Sequence, residues 1–302
     1  MAPLLPQRMI QGGAWCSGRW FSSFSDFMGA FGPTMSSVSI HRYAESVCHG
    51  DKATIEGLLA DKSAGGEAAG VAGWVALTRG VPLFIGEGNS VSCGGAEGVS
   101  NVWASALWAL DVLFSMAAVG VQRWNFHGMP GGPYAVFSFP NAAAEDVQVR
   151  PIFYGLLAFA GAVGQRGVLR NVTTVASTNP FIKCWSVAAA GGATRVVLIH
   201  KDMNAAANAT VTVVPAAAAA GDAVLVRGLP DAAKGVHSEW NDGISFEGLS
   251  YATTVNGRPA GTRASESVPP GSGGEFTLQL PPGSFAVLKI FHPTEAASRA
   301  AR

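Results

Sequence analysis

The chain has 302 residues, of which 48% are hydrophobic and 13% charged; it can therefore bury a large core and is not a disordered polyampholyte. Its 20 basic and 20 acidic side chains balance. Because the sequence also has no long Lys/Arg run, we do not expect nucleic acid or an anionic membrane to be its main partner.

The first half alternates short apolar runs with longer helix-like runs. Strands are predicted at 9–15, 38–40, 82–86 and 121–127, and helices at 20–31, 51–77 (broken by the glycines around Gly65 and Gly66), 99–118 and 151–163. Strict alternation of strand and helix indicates parallel βαβ units. Four such units make half of an eight-stranded barrel, so the pattern predicts either a partial (β/α)8 TIM-type barrel or an open α/β sheet.

The residue pattern of the sequence changes near Leu169. Short β-rich runs follow, separated by Gly, Pro, Asn and Asp clusters, at 181–187, 195–200, 210–214, 223–227, 276–280 and 284–290. This pattern is typical of an antiparallel β-sandwich. The predicted fold class is α/β plus all-β: a partial barrel over 1–168, a β-sandwich over 169–293 and a disordered tail over 294–302.

The segment 102–121 is almost wholly apolar and has Asp111 near its centre. Membrane spans rarely carry an unpaired acid, because a charge at that depth is costly in lipid. We therefore predict a buried helix rather than a membrane span, with Trp103 and Trp108 in the core by helical spacing. The N-terminus lacks a basic region followed by a long apolar core, so no secretory signal is predicted.

The most informative stretch is Gly86-Glu87-Gly88-Asn89-Ser90. An apolar run leads to Glu87, and a loop rich in Gly, Ser and Asn follows. Parallel barrels place catalytic groups at the carboxyl ends of their strands. Glu87 is therefore the first candidate for a catalytic carboxylate, and the alternative is a solvated side chain in a turn at the strand end.

These residues resemble the glycoside hydrolase family that contains heparanase and microbial β-glucuronidases (family 79). The resemblance covers nearly the whole chain, is specific around Glu87 and is loose over the second half. The other segments that carry it are Ser39-Ile40-His41-Arg42-Tyr43, Gly94-Gly95, Gly98-Val99-Ser100, 104–111, Trp124-Asn125-Phe126-His127-Gly128, Tyr134, 151–155 and 197–202.

The resemblance implies that Glu87 is the nucleophile of a retaining hydrolase and forms a covalent glycosyl-enzyme. It also implies that Tyr43 lies beside Glu87 and orients its carboxylate. Backbone N–H groups of Gly94 and Gly95 and the hydroxyl of Tyr134 would bind the carboxylate of a terminal β-linked glucuronic acid. The substrate class implied is thus a glycan or glycoside that contains glucuronic acid.

His41, Asn89 and His127 are candidates for the surrounding layer of the site, although a histidine at a strand end is as often a structural group. Tyr134 has the alternative interpretation of an aromatic side chain packed on a loop. The resemblance implies no cofactor, and family members are secreted or lysosomal. His41, His49 and His127 lack metal-ligand spacing, so no metal site is predicted.

The four cysteines are widely spaced and contain no Cys-x-x-Cys pair, which matches neither a zinc pattern nor a disulfide-dense scaffold. Cys93 is the cysteine nearest the candidate site in the sequence. We interpret it as a small apolar filler.

The chain departs from the family in one respect that bears on catalysis. The family's general acid/base is the glutamate of an Asn-Glu pair at the end of strand four, and this sequence contains no Asn-Glu pair. Glu45 and Glu97 fall near the site but match no family position. Three hypotheses stay open: a truncated hydrolase, a non-catalytic carbohydrate-binding descendant, and a structural fragment completed by another chain that supplies the missing half of the barrel.

Overall fold

The computed structural model describes residues 9–139, 146–171, 173–189, 192–219, 221–255 and 257–293. The predicted tail at 294–302 lies outside these residues. The first half consists of β1 (Ile10–Trp15), α1 (Phe21–Phe31), β2 (Met35–Ser46), α2 (Ile55–Leu59), α3 (Gly65–Leu77), β3 (Leu83–Ser92), α4 (Ala104–Ala118), β4 (Arg123–Phe126), β5 (Phe137–Ser138), β6 (Asp146–Val149) and α5 (Ile152–Val163). Short 3-10 turns lie at Gly18–Trp20, Gly32–Thr34, Cys48–Gly50 and Asp61–Ser63.

Strands β1 to β4 form one sheet in sequence order, and every pairing in it is parallel. The predicted βαβ alternation is therefore confirmed. Within the described residues the sheet is open: β1 and β4 each pair on one side only, and no closed barrel is seen.

The strands predicted at 38–40 and 82–86 are longer in the structure, and the helix predicted at 51–77 starts later and breaks earlier. Strand β2 runs for 12 residues instead of the predicted three, because it stays paired with β3 through Ser46↔Ser92. The helix predicted at 51–77, with a break around Gly65 and Gly66, is two helices, α2 and α3, and the 3-10 turn Asp61–Ser63 lies between them. Thr54 starts α2, since its hydroxyl accepts a hydrogen bond from the backbone N–H of Gly57 at 2.9 Å.

The second half is β-rich, and among the described residues its strands pair antiparallel. Its strands are β7 (Val168–Leu169), β8 (Thr173–Ser177), β9 (Ile182–Ala188), β10 (Thr194–His200), β11 (Ala209–Pro215), β12 (Ala223–Leu229), β13 (Ser245–Phe246), β14 (Leu249–Ser250), β15 (Thr253–Val255), β16 (Ala260–Gly261), β17 (Glu266–Val268), β18 (Phe276–Leu280) and β19 (Phe285–Ile290), and a 3-10 turn lies at Gly235–His237. A nine-stranded sheet contains β10, β12 and β19, and a three-stranded sheet has the order β18-β11-β8. Their facing side chains share one apolar cluster that includes Leu198, Val211 and Leu278.

The two halves share a second and larger core. Helix α4 is buried along nearly its whole length, and its cluster includes Val197 and Phe285 from the nine-stranded sheet. Trp103 and Trp108 are buried as predicted. The Trp103 ring stacks on Phe285 with centroids 5.6 Å apart, so packing is continuous from the parallel sheet to the β-rich half.

Asp111 lies inside this core and has two polar partners. Lys201 Nζ contacts its Oδ2 at 2.8 Å, and the indole N–H of Trp185 donates to Oδ1 at 3.1 Å. The acid in the apolar segment is therefore a paired core residue of α4. In the described part of the chain, no helix combines the length and apolar character needed to cross a membrane.

Candidate active site

Glu87 lies inside strand β3, not in the loop after it. The strand continues to Ser92 because a bulge absorbs one extra residue: Ile40 pairs with Ile85, but His41 pairs with Glu87. Bulges beside active sites re-aim a side chain. Gly88 is needed next to Glu87, since a Cβ there would lie 2.5 Å from the carbonyl oxygen of Arg42 and 2.7 Å from the Trp124 ring.

The Glu87 carboxylate is surrounded by three side chains from neighbouring strands. Tyr43 Oη donates to Glu87 Oε1 at 2.8 Å, a contact that the family resemblance implies. Two histidine nitrogens lie slightly farther from the same oxygen, His41 Nδ1 at 3.6 Å and His127 Nδ1 at 3.7 Å. Burial, followed by the hydrogen bond to Glu87, raises the pKa of Tyr43 far above 10, so this hydroxyl keeps its proton to donate.

These contacts indicate whether His127 Nδ1 carries a proton. Tyr43 gives its one proton to Glu87, so its 2.9 Å contact with His127 Nδ1 is a hydrogen bond only if Nδ1 carries a proton. Tyr134 Oη lies 3.1 Å from the same Nδ1 and then also accepts. In this arrangement neither contact uses the Tyr134 hydroxyl proton; Tyr134 is itself buried, with 2% exposed.

Asn89 is fully buried and connects β3 to the segment that carries His127 and Tyr134. Its Nδ2 donates to the carbonyl oxygens of His127 at 2.7 Å and Tyr134 at 3.0 Å. Its Oδ1 accepts from the backbone N–H of Ser90 at 2.7 Å. One side chain therefore fixes both His127 and Tyr134 relative to β3.

The loop after β3 packs against Tyr134. Gly94 and Gly95 have φ angles of 101° and 89°, which favour glycine. A Cβ on Gly95 would lie 2.9 Å from Tyr134 Cδ1 and 3.0 Å from the Tyr134 backbone N, so only glycine fits against this ring. Within the described part of the chain, the N–H groups of Gly94 and Gly95 donate to no protein acceptor.

The interpretation of Cys93 as an apolar filler is wrong. Cys93 is exposed and forms a disulfide with Cys48, with the Cα atoms 5.5 Å apart. In the structure each cysteine comes shortly after the end of its strand, and the paired residues Ser46 and Ser92 bring the two cysteines side by side. The predicted strands at 38–40 and 82–86 end too early to show this pairing.

An open cleft of about 950 Å³ lies at this end of the sheet. His41, Tyr43 and Glu87 line it, whereas Gly94, Gly95, Asn89, His127 and Tyr134 are not part of its described lining. Sequence reasoning missed its charged wall, which is formed by Arg42, Glu45, Lys52, Lys62 and Glu67.

The charged wall consists largely of pairs. Arg42 Nε lies 3.7 Å from Glu67 Oε2, and Lys62 Nζ lies 3.2 Å from Glu45 Oε1. Burial raises the pKa of Glu67 above its ordinary value, and the Arg42 charge partly offsets that effect. Glu97 is exposed in the turn after Gly95 and does not line the cleft. Among the described residues, no group of three or more His, Cys, Asp or Glu side chains is arranged to hold a metal.

Comparison with known proteins links the chain to glucuronidases at low identity. A β-glucuronidase of Neurospora crassa is 27% identical over 129 residues, which is 39% of this chain and 23% of that protein. A β-glucuronidase of Aspergillus niger is 29% identical over 79 residues, which is 26% of this chain and 15% of that protein. The match thus spans less than a quarter of either relative. No family model matches the chain.

Solved structures give the fold. A 4-O-α-L-rhamnosyl-β-D-glucuronidase from Fusarium oxysporum 12S has a TM-score of 0.71 with 20% identity, over 92% of this chain and 59% of that chain. The GH51 arabinofuranosidase from Xanthomonas axonopodis pv. citri has a TM-score of 0.63 with 15% identity, over 89% of this chain and 56% of that chain. The chain has the fold of part of a glycoside hydrolase.

Proposed function

We propose that this chain carries the nucleophile side of a retaining β-glucuronidase site, with Glu87 as the nucleophile. The observation that carries the proposal is the 2.8 Å hydrogen bond from Tyr43 to Glu87, on a strand bulge that faces an open cleft. The low-identity similarity to two β-glucuronidases supports the same substrate class. The substrate proposed is a terminal β-linked glucuronic acid.

The chemistry proposed for Glu87 is attack on the anomeric carbon. One carboxylate oxygen forms the new bond while the glycosidic bond breaks, and the leaving oxygen takes a proton from an acid or departs as a stabilised anion. Tyr43 keeps Glu87 oriented through its donated proton. The free N–H groups of Gly94 and Gly95 and the spare proton of Tyr134 are proposed to bind the sugar carboxylate.

The sequence lacks the family's Asn-Glu pair, and among the described residues Glu45 does not have the position that the second carboxyl group of a retaining pair needs. The β2–β3 register pairs His41 with Glu87 and Glu45 with Val91, so Glu45 lies about 13 Å farther along the strands, against the required separation of about 5–5.5 Å. Loss of general acid catalysis costs about 10²–10⁴ in rate. We therefore expect slow turnover of ordinary glycosides.

We further propose that β1 to β4 with their helices are the second half of a (β/α)8 barrel over 1–168, and that 169–293 is a β-sandwich. The match to 59% of the Fusarium oxysporum enzyme supports this assignment. On this proposal, another segment or another chain supplies the first half of the barrel. If none does, the favoured alternative is a uronate-binding protein without turnover, because the paired Glu87 and the free loop N–H groups remain.

The test is incubation with an aryl β-D-glucuronide that has a good leaving group, beside Glu87→Gln. An activated aryl group needs little protonation, so nucleophilic attack is visible without the acid. We expect Glu87-dependent aryl release and a glucuronyl adduct on the peptide that contains residue 87. Binding of glucuronic acid without release supports the binding-protein alternative, and neither binding nor release by the folded protein contradicts both.

A further inference from the structure

We propose that the Cys48–Cys93 disulfide positions the Tyr134 ring, so that affinity for an acidic sugar depends on the redox state of this bond. The inference rests on the proposed function, because it takes a sugar carboxylate as the ligand. The two cysteines are positioning residues: they support the site through Tyr134.

The disulfide joins β2 and β3 just beyond their last paired residues, Ser46 and Ser92. It therefore fixes the start of both following loops relative to each other. Cys93 is exposed and Cys48 is half-buried, so the bond is accessible to a small dithiol. Disulfides persist in oxidising compartments and are rare in reducing ones, so the state of this bond depends on the compartment that holds the protein.

The loop from Cys93 to Gly98 is held at its two ends. At the far end, Ser100 Oγ accepts from Ala96 N at 3.1 Å and Asn101 Oδ1 accepts from Gly98 N at 2.7 Å. At the near end, Cys93 has a φ of 61°, a left-handed conformation that is unfavourable for a residue with a Cβ. The disulfide is the covalent restraint at this end, and the N–H groups of Gly94 and Gly95 add no protein hydrogen bond within the described residues.

Three successive contacts connect this loop to the Glu87 carboxylate. Gly95 lies directly against Tyr134, whose ring and backbone N would be within 3.0 Å of an added Cβ. Tyr134 Oη contacts His127 Nδ1 at 3.1 Å, and that nitrogen is 3.7 Å from Glu87 Oε1. Loosening the loop therefore removes the contact of Gly95 with the Tyr134 ring and moves the Gly94 and Gly95 donors, while the Asn89 hydrogen bond still holds the Tyr134 backbone.

A dithiol reduces the Cys48–Cys93 bond by thiol–disulfide exchange. A dithiol attacks one sulfur, the Cys48–Cys93 bond breaks, and the dithiol closes to its own disulfide. Two electrons and two protons pass to the protein, which gains two thiols. Cys93 can then leave the left-handed region, since the restraint on its side chain is gone.

The experiment compares three proteins, each with and without dithiothreitol: the wild type, Cys48→Ser/Cys93→Ser, and Cys184→Ala as the matched control. Cys184 is a free cysteine in β9, outside the site. Affinity for glucuronic acid and for glucose is measured by calorimetry. We expect reduction of the wild type or the double substitution to weaken glucuronic acid binding at least tenfold, with a smaller effect on glucose. Dithiothreitol should weaken glucuronic acid binding by the Cys184→Ala protein as much as by the wild type. It should not change the affinity of the double variant.

Hydrogen exchange provides a readout that needs no ligand. We expect faster exchange at 94–98 and 127–135 after reduction, with no change in β10. The proposal is overturned if exchange at 127–135 is unchanged. It is also overturned if thiol titration shows complete reduction and the two glucuronic acid affinities still agree within twofold. Equal acceleration of exchange in β10 overturns it too, because that result indicates general unfolding. If neither redox state binds glucuronic acid, the proposed function fails, and the exchange data still decide whether the disulfide positions Tyr134.

Discussion

At the residue scale, the geometry of Glu87 depends on one hydroxyl group. Tyr43 Oη donates to Glu87 Oε1 at 2.8 Å, and hydrogen bonds to charged groups contribute about 1.5–3 kcal/mol. We predict that Tyr43→Phe slows formation of the glucuronyl adduct by about 10- to 100-fold, because Glu87 loses its orienting donor. The measurement is the rate of aryl release from an activated β-glucuronide.

Tyr154→Phe is a suitable control for this substitution. Tyr154 is also buried, and its hydroxyl accepts from the backbone N–H of Tyr251 at 2.7 Å, away from Glu87. It should lower stability without a selective effect on aryl release. Equal rates for Tyr43→Phe and the wild type would contradict the orienting role of Tyr43.

The Tyr43–Glu87 contact was expected only from the family resemblance, which is specific around Glu87, and the strand pattern alone did not predict it. The sequence did not predict that Tyr134 and His127 share a hydrogen bond, since that contact depends on where Asn89 holds the two backbones. The Cys48–Cys93 pairing was missed for a similar reason. Strand pairing between distant segments, not local residue type, brings these groups together.

At the scale of elements, strand β3 shows where local propensity is overruled. Gly, Asn and Ser are poor strand formers, so the strand was expected to end at Gly86. The buried Asn89 and Ser90 stay in the strand because their polar atoms are satisfied by Tyr134, His127 and Ser100. Tertiary hydrogen bonds of this kind cannot be read from a propensity pattern.

Helix α4 is joined to the residue that directly follows strand β10 by the buried Asp111–Lys201 pair. Breaking one partner of such a pair costs about 3–5 kcal/mol, because the other charge stays buried. We predict that Lys201→Met lowers the free energy of unfolding by that amount, as measured by urea denaturation. In the double variant Asp111→Asn/Lys201→Met, the neutral amide still accepts from Trp185, and more than half of the loss should be recovered. A double variant as unstable as Lys201→Met would show that the buried charge is not the cause.

At the scale of the whole molecule, the predicted boundary near residue 168 crosses a continuous core. Trp103 from the first half stacks on Phe285 and donates from Nε1 to the carbonyl oxygen of Gly283 at 2.7 Å. We predict that Trp103→Ala lowers the free energy of unfolding by about 3–5 kcal/mol and speeds hydrogen exchange in β2 and β10 alike. Faster exchange in only one of the two strands would mean that the halves unfold independently.

The open parallel sheet has a consequence for association. Within the described residues β1 and β4 pair on one side only, and exposed apolar side chains lie near these edges, including Ile10 and Phe137. Unpaired edges are templates for pairing with another chain. We predict concentration-dependent self-association of the protein in sedimentation velocity.

The matched pair Ile10→Lys and Val214→Lys separates edge pairing from the effect of exposed apolar surface in general. Both side chains are apolar and exposed to a similar extent, at 45% and 43%, but Ile10 lies on β1, which pairs on one side only, whereas Val214 lies on β11, the central strand between β18 and β8. A lysine on an edge strand opposes pairing, because its charge would have to be buried against the incoming strand. Ile10→Lys should therefore reduce association much more than Val214→Lys. Equal effects would assign association to apolar surface in general, and a monodisperse wild-type monomer with one cooperative melt would show that the open edges are stable on their own.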